Sequence, residues 1–106
     1  MDREKVYEVE KTNEFSDWLT ELKDNVARVN IANRIARVEE GSIGDNEYLG
    51  DGLNEMRVHC GAGYRLYWFR TGKKIILLAY GGSKSSQKRD IKKARKLMQA
   101  YKEERA

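Results

Sequence analysis

The sequence predicts a single α+β domain spanning residues 1–106: a small antiparallel sheet, an N-terminal helical hairpin packed on one face, and a C-terminal helix, in the order β-α-α-β-β-β-α. Three observations carry this expectation. Two segments before residue 40 repeat apolar side chains at helical spacing. Three segments from residue 55 to residue 80 alternate or run apolar as strands do, and the last twenty residues return to helical spacing. At 106 residues and 40% hydrophobic content the chain can bury one core and no more.

Val6-Tyr7-Glu8-Val9 alternates and is β-branched, which reads as a first strand. Thr12 or Asn13 can cap a helix in which Phe15, Trp18, Leu19 and Leu22 fall on one face, so Trp18 is expected in the helix–sheet core. Asp24-Asn25 breaks that helix and caps a second, with Ile31, Ile35 and Val38 as its stripe, Ala27 and Ala32 as flanks, and Gly41 as its left-handed stop. Residues 41–52 hold four glycines in twelve positions and read as one long loop. In the next segment Met56, Val58 and Cys60 alternate with Glu55, Arg57 and His59, and Gly61-Ala62-Gly63 turns the chain. Tyr64, Leu66 and Trp68 then oppose Arg65, Tyr67 and Phe69, and Thr71-Gly72-Lys73 is a hairpin turn. Ile75 to Tyr80 is apolar throughout, as a strand covered on both faces should be. After Gly81-Gly82, Ser85 or Ser86 caps a last helix with Ile91, Ala94, Met98 and Tyr101 as its buried stripe and Leu97 at its border.

Composition excludes several classes. The longest apolar run is six residues, far short of the ~20 that cross a membrane, and the charged start Met1-Asp2-Arg3-Glu4-Lys5 leads into no apolar stretch. Cys60 is the only cysteine, so no internal disulfide forms, and no Cys/His set has zinc spacing. Phosphate-loop, dinucleotide and nucleophile-elbow patterns are absent. These features describe a cytoplasmic protein without metal or cofactor. The net charge of +4 is uneven. Residues 84–106 hold nine Lys/Arg against three Asp/Glu and carry +6, while the preceding 83 residues carry −2. Such a basic quarter is either a polyanion footprint or a solvated helix face, of which Lys88, Lys92, Lys93, Arg95 and Lys96 form much.

Candidate chemistry lies on one sheet face. Arg57 and His59 share a face of one strand, Arg65 and Tyr67 share a face of the next, and direct pairing clusters all four. Arginine, histidine and tyrosine together can bind phosphate by charge-assisted hydrogen bonds and stack a base; an ordinary exposed sheet face shows the same alternation. Lys84 stands beside a helix N-terminus, where free amides favour an anion. Gln87 and Lys88 in that helix's first turn, with Tyr67 and Tyr101, are the candidate substrate contacts.

Several motifs in matching order cover residues 6–101: Phe15-x-x-Trp18-Leu19-x-x-Leu22-x-Asp24, Ile31-x-x-Arg34-Ile35, Gly41-Ser42-x-Gly44-Asp45, Glu55-Met56-Arg57-Val58, Gly63-Tyr64-Arg65-Leu66-Tyr67 and Gly81-Gly82-x-Lys84-Ser85-Ser86-Gln87-x-x-Asp90-Ile91. Together they resemble the HigB-like addiction-module killer proteins of the RelE/ParE toxin superfamily. The resemblance implies two helices on one face of an antiparallel sheet and a shallow basic cleft on the other. It implies a toxin of a bacterial type II toxin–antitoxin module that cuts mRNA on the ribosome without a metal. It also implies a cognate antitoxin, a HigA-like helix-turn-helix protein whose acidic segment covers the basic surface. Arg65 matches the arginine placed near the scissile phosphate, Arg57 the basic position on the preceding strand, and Lys84 the basic position after the last strand. Glu55 stands where some relatives carry a second basic residue, and Tyr101 lies farther from the last strand than the tyrosine of RelE-type enzymes. His59 is the first candidate for general base, with Tyr67 and Tyr101 as alternatives. Relatives of ParE type share the fold but act on DNA gyrase, so a non-enzymatic gyrase inhibitor is the alternative function, and an inactive corepressor another.

Overall fold

The apolar run ending at Tyr80 belongs to an eight-residue strand buried on both faces, and the other elements are arranged around it. The structure is a computed structural model that describes residues 5–61, 63–82 and 84–105. Its elements are β1 (Glu8–Lys11), α1 (Asn13–Glu21), α2 (Asn25–Glu39), β2 (Asn46–Gly50), β3 (Leu53–Val58), β4 (Tyr64–Thr71), β5 (Lys74–Gly81) and α3 (Gln87–Glu104). They form an α+β fold with one five-stranded sheet in the order β1-β5-β4-β3-β2.

The two helix starts follow the capping residues of the sequence. The Thr12 side chain accepts from the Phe15 amide, and the Asp24 side chain accepts from the Ala27 amide. α1 and α2 cover one face, where Phe15, Ile31, Ile35 and Val38 pack on Met56, Val58, Leu66, Trp68, Ile75 and Leu77. α3 covers part of the opposite face, where Ala94 and Met98 meet Leu53, Tyr67, Phe69, Ile76, Leu78 and Ala79, with Ile91, Leu97 and Tyr101 at the edge. The β4–β5 register slips by one residue between Tyr67 and Trp68. Beside that irregularity, Thr12 binds the Leu78 carbonyl through its hydroxyl and the Leu77 carbonyl through its amide, which ties the start of α1 to the sheet.

Four expectations need correction. Residues 41–52 are not one loop, because Asn46–Gly50 pairs with β3 as an edge strand, making the order β-α-α-β-β-β-β-α. Gly50, Asp51 and Gly52 have φ of +96°, +52° and +92°, so these glycines build the turn after the strand instead of preventing it. The sheet is mostly antiparallel, because β1 pairs in parallel with β5. That strand starts at Glu8, since the Val6 and Tyr7 amides donate to the Glu39 carbonyl instead. Ala32 is exposed, and the place between Ile31 and Ile35 on the buried side of α2 belongs to Arg34. The predicted turn residue Ala62 lies outside the described residues.

Trp18 sits at the rim of the core, partly buried and stacked on Tyr80 with ring centroids 4.2 Å apart, whereas Phe15 is fully buried. Trp18→Ala should therefore cost about 1–3 kcal/mol, less than the ~3–5 kcal/mol of a fully buried aromatic. Thermal melts of Trp18→Ala and Phe15→Ala should rank in that order. The reverse ranking would place the weight of the helix on the wrong residue.

Candidate functional site

The ends of three strands and the start of α3 converge at one end of the sheet. β3 and β4 pair Arg57 directly with Arg65 and Val58 with Tyr64, and β5 brings Gly81 opposite Arg65. A shallow cleft of about 220 Å³ opens there, lined by Arg57, Val58, His59, Gly63, Tyr64, Arg65, Gly82 and Lys84. The four residues picked from the sequence as chemical groups, Arg57, His59, Arg65 and Lys84, thus line one cleft. The cleft lies on the sheet face that α3 covers farther along, beside the first turn of that helix.

Carboxylates that do not themselves line the cleft pair with the residues that do. Arg57 pairs with Glu47 of β2, with Asp45 at 3.4 Å and with Glu55 at 3.4 Å. Burial opposes its charge, but those carboxylates outweigh burial and raise its pKa above the ordinary value. His59 is largely exposed and its Nε2 lies 2.6 Å from Asp45 Oδ2, so Nδ1 is the ring nitrogen left for a ligand. The hydrogen bond from His59 is the largest cause holding the Asp45 carboxyl below its ordinary value. That contribution is present above the ordinary carboxylate range and is lost as pH falls through the lowered Asp45 value.

Asp45 is held by a residue from the other side of the molecule. Arg34 of α2 is buried and donates to the carbonyls of Ile43 (2.9 Å), Asp45 (2.9 Å) and Arg57 (2.7 Å). Burial lowers its pKa. Gly44 is required beside it, because a Cβ there would lie 2.7 Å from the guanidinium and φ is +76°.

Arg65 is mostly buried along its stem, and among the described residues its terminal nitrogens make no hydrogen bond or ion pair. Lys84 is exposed and forms no ion pair among the described residues. The other candidates lie elsewhere. Tyr67 is fully buried, not on an open face; its hydroxyl donates to Glu55, and burial is the largest cause raising its pKa. It offers neither a stacking surface nor a base. Gln87 is turned inward and donates to Glu55 at 2.9 Å. Lys88 is exposed on α3 and does not line the cleft. Tyr101 belongs to the far end of α3, where its hydroxyl donates to Glu10 at 2.6 Å. Cys60 is partly buried against the α1–α2 core, and burial raises its pKa.

The basic face of α3 is partly structural as well: Lys93 pairs with Glu14, and Arg95 donates to the carbonyls of Leu49 and Gly50. Ser86 stands at the N-cap position, but its hydroxyl donates to Asp90 at 2.7 Å and its oxygen accepts no capping bond from a backbone amide. Asp90 in turn fixes how closely α3 approaches β5. A Cβ on Gly81 would lie 2.8 Å from Asp90 Oδ2 and 3.2 Å from Tyr67 Cε2. Gly81→Ala should therefore push the helix start away and cost about 1–3 kcal/mol, read as a lower melting temperature. An unchanged melt would mean that Asp90 moves aside freely.

The fold and the cleft define a small α+β protein whose cationic groove is partly neutralised by its own carboxylates. The chain is 38% identical over 92 residues to an uncharacterized protein of Haemophilus influenzae, across 87% of this chain and 93% of that protein, and it belongs to the same family. No family model and no solved structure matches it. Among the described residues, no helix is long and apolar enough to cross a membrane.

Proposed function

We propose that the protein is the toxin of a bacterial type II toxin–antitoxin module, a RelE/ParE-like fold of HigB type that cleaves mRNA on the ribosome and is neutralised by a HigA-like antitoxin. The observation that carries this reading is the convergence of Arg57, His59, Arg65 and Lys84 on one cleft. RNA carries its own nucleophile, so such a site needs a base for the 2′-hydroxyl, cations for the charge that develops on phosphorus, and a proton for the departing 5′-oxygen. In this reading His59 Nδ1, with Asp45 behind the ring, takes the 2′-hydroxyl proton as the 2′-oxygen bonds to phosphorus, the bond to the 5′-oxygen breaks, and the departing 5′-oxygen takes its proton from water. Arg65 and Lys84 stabilise the added negative charge, and Arg57, already paired with carboxylates, orders the site. With a single exposed imidazole, the protein relies on the ribosome to orient the strand.

The carboxylates around Arg57 favour one further reading, an inhibitor of gyrase type or a corepressor that works through a protein surface without cutting RNA. A translation extract separates the readings. The wild-type protein should cut ribosome-bound mRNA, and Lys84→Ala should cut roughly 10²-fold more slowly with a melting temperature within a few degrees of wild type. Intact mRNA with gyrase-dependent DNA breaks would replace the mRNA-cleavage reading by the gyrase one.

A further inference from the structure

Arg57 and Arg65 are direct cross-strand partners on one face of β3 and β4, an arrangement in which like charges repel. Beneath them lies Glu55, which stands opposite Tyr67 and is 0% exposed. Its two oxygens have different surroundings. Oε2 accepts from the Tyr67 hydroxyl at 3.1 Å and from Gln87 Nε2 at 2.9 Å. Oε1 faces Arg57 Nε at 3.4 Å and Arg65 Nε at 3.7 Å and, among the described residues, has no hydrogen bond; Arg65 Nε is likewise buried without one among them.

We propose that Glu55 is a positioning residue: its buried carboxylate, gripped by Tyr67 and Gln87, holds the Arg57 and Arg65 guanidiniums side by side beneath the cleft and does not itself touch the ligand. The proposal rests on reading the cleft as a phosphodiester site. As a device for stability alone a buried carboxylate is poor, since its desolvation offsets much of what its ion pairs return. As an anchor it fits the geometry. It draws on the Nε side of Arg65, a residue that lines the cleft, and leaves uncommitted the terminal nitrogens, the pair that matches two phosphate oxygens. Its burial removes it from reach of a 2′-hydroxyl, so it is not the base. It also subtracts one charge from the site, which restrains ground-state affinity for RNA while the aim of Arg65 serves the transition state.

The test uses the full-length protein and Glu55→Gln, which keeps shape and removes charge. Nuclear magnetic resonance of the arginine Nε–Hε groups should show Arg57 and Arg65 as resolved, slowly exchanging signals in the wild type and as averaged signals in Glu55→Gln. A short single-stranded RNA should bind Glu55→Gln several-fold more tightly, while kcat on ribosomes falls about 10-fold or more with an unshifted pH profile. A purely structural role would weaken binding and cleavage together. Wild-type arginine signals in folded Glu55→Gln, or a pH profile that loses its acid limb, would overturn the proposal. If Glu55→Gln does not fold, Tyr67→Phe/Gln87→Ala leaves every charge in place and frees the carboxylate: averaged arginine signals support the proposal, and wild-type signals overturn it. Should the wild type neither bind RNA nor cut mRNA, the toxin reading fails on its own, and the arginine signals still decide the role of Glu55.

Discussion

Arg34→Met should lower stability by about 3–5 kcal/mol, the scale for removing one partner from a buried, charge-assisted network. The guanidinium satisfies three carbonyls from two segments, Ile43 and Asp45 of the connection before β2 and Arg57 of β3, and methionine fills the volume without donating to any of them. At roughly 4–8 °C per kcal/mol for a domain of this size, the melting temperature should drop by about 12 °C or more. Arg34→Lys should recover only part of this loss, because an ammonium on a flexible stem does not reproduce a planar fork. The loss should also reach the cleft. Once Asp45 is released, His59 loses its 2.6 Å partner and Arg57 one of its three acids. Thermal unfolding by circular dichroism checks the prediction, and a melt within about 5 °C of wild type would show that water replaces the guanidinium at little cost.

Arg34 also shows where sequence patterning stops. Ile31, Ile35 and Val38 mark the buried stripe of α2 because their spacing matches the helical period, and all three are buried. Arg34 shares that face, yet a charged residue in such a window reads as solvated, and only the three carbonyls that arrive from residues 43, 45 and 57 explain its burial. The cationic half of the cleft was legible for a simple reason. Alternation puts Arg57 on the face of Glu55 and Arg65 on that of Tyr67, and direct pairing sets Arg57 opposite Arg65, while His59 follows the end of β3 at Val58. The acidic half was not. Glu47 enters through β2, whose closing turn Gly50-Asp51-Gly52 is a hairpin signal hidden inside a glycine-rich stretch. Glu55 alternates outward like Arg57, and what buries it is α3, which delivers Gln87 from thirty-two residues away. Tyr67 shares that fate: strand period gives the face of a side chain, and which face a distant helix covers is a tertiary fact.

Arg65→Ala should abolish growth inhibition while leaving a folded protein. Arg65 reaches the cleft with its terminal nitrogens uncommitted among the described residues, whereas Arg57 divides its charge among Asp45, Glu47 and Glu55. Of the two arginines, Arg65 is therefore the one with charge to spend on a phosphorane. Its removal should slow cleavage of ribosome-bound mRNA by about 10²–10³-fold, the scale for losing a preorganised charge at the reacting centre. The loss should fall on kcat more than on KM, because the charge it meets develops as the 2′-oxygen attacks. Arg65→Lys should recover only part of the rate, since a point charge does not pair two phosphate oxygens at once. The stability cost should be modest, about 1–2 kcal/mol, because Glu55 keeps Arg57, Tyr67 and Gln87 as partners when Arg65 is gone. Expression in a bacterial host, with soluble protein measured beside colony counts, checks both halves of the prediction. Full toxicity from well-expressed Arg65→Ala would take this residue out of the site. Loss of soluble protein would mean instead that Glu55 needs both arginines to stay buried, which makes the like-charged pair a condition of folding before it is a condition of catalysis.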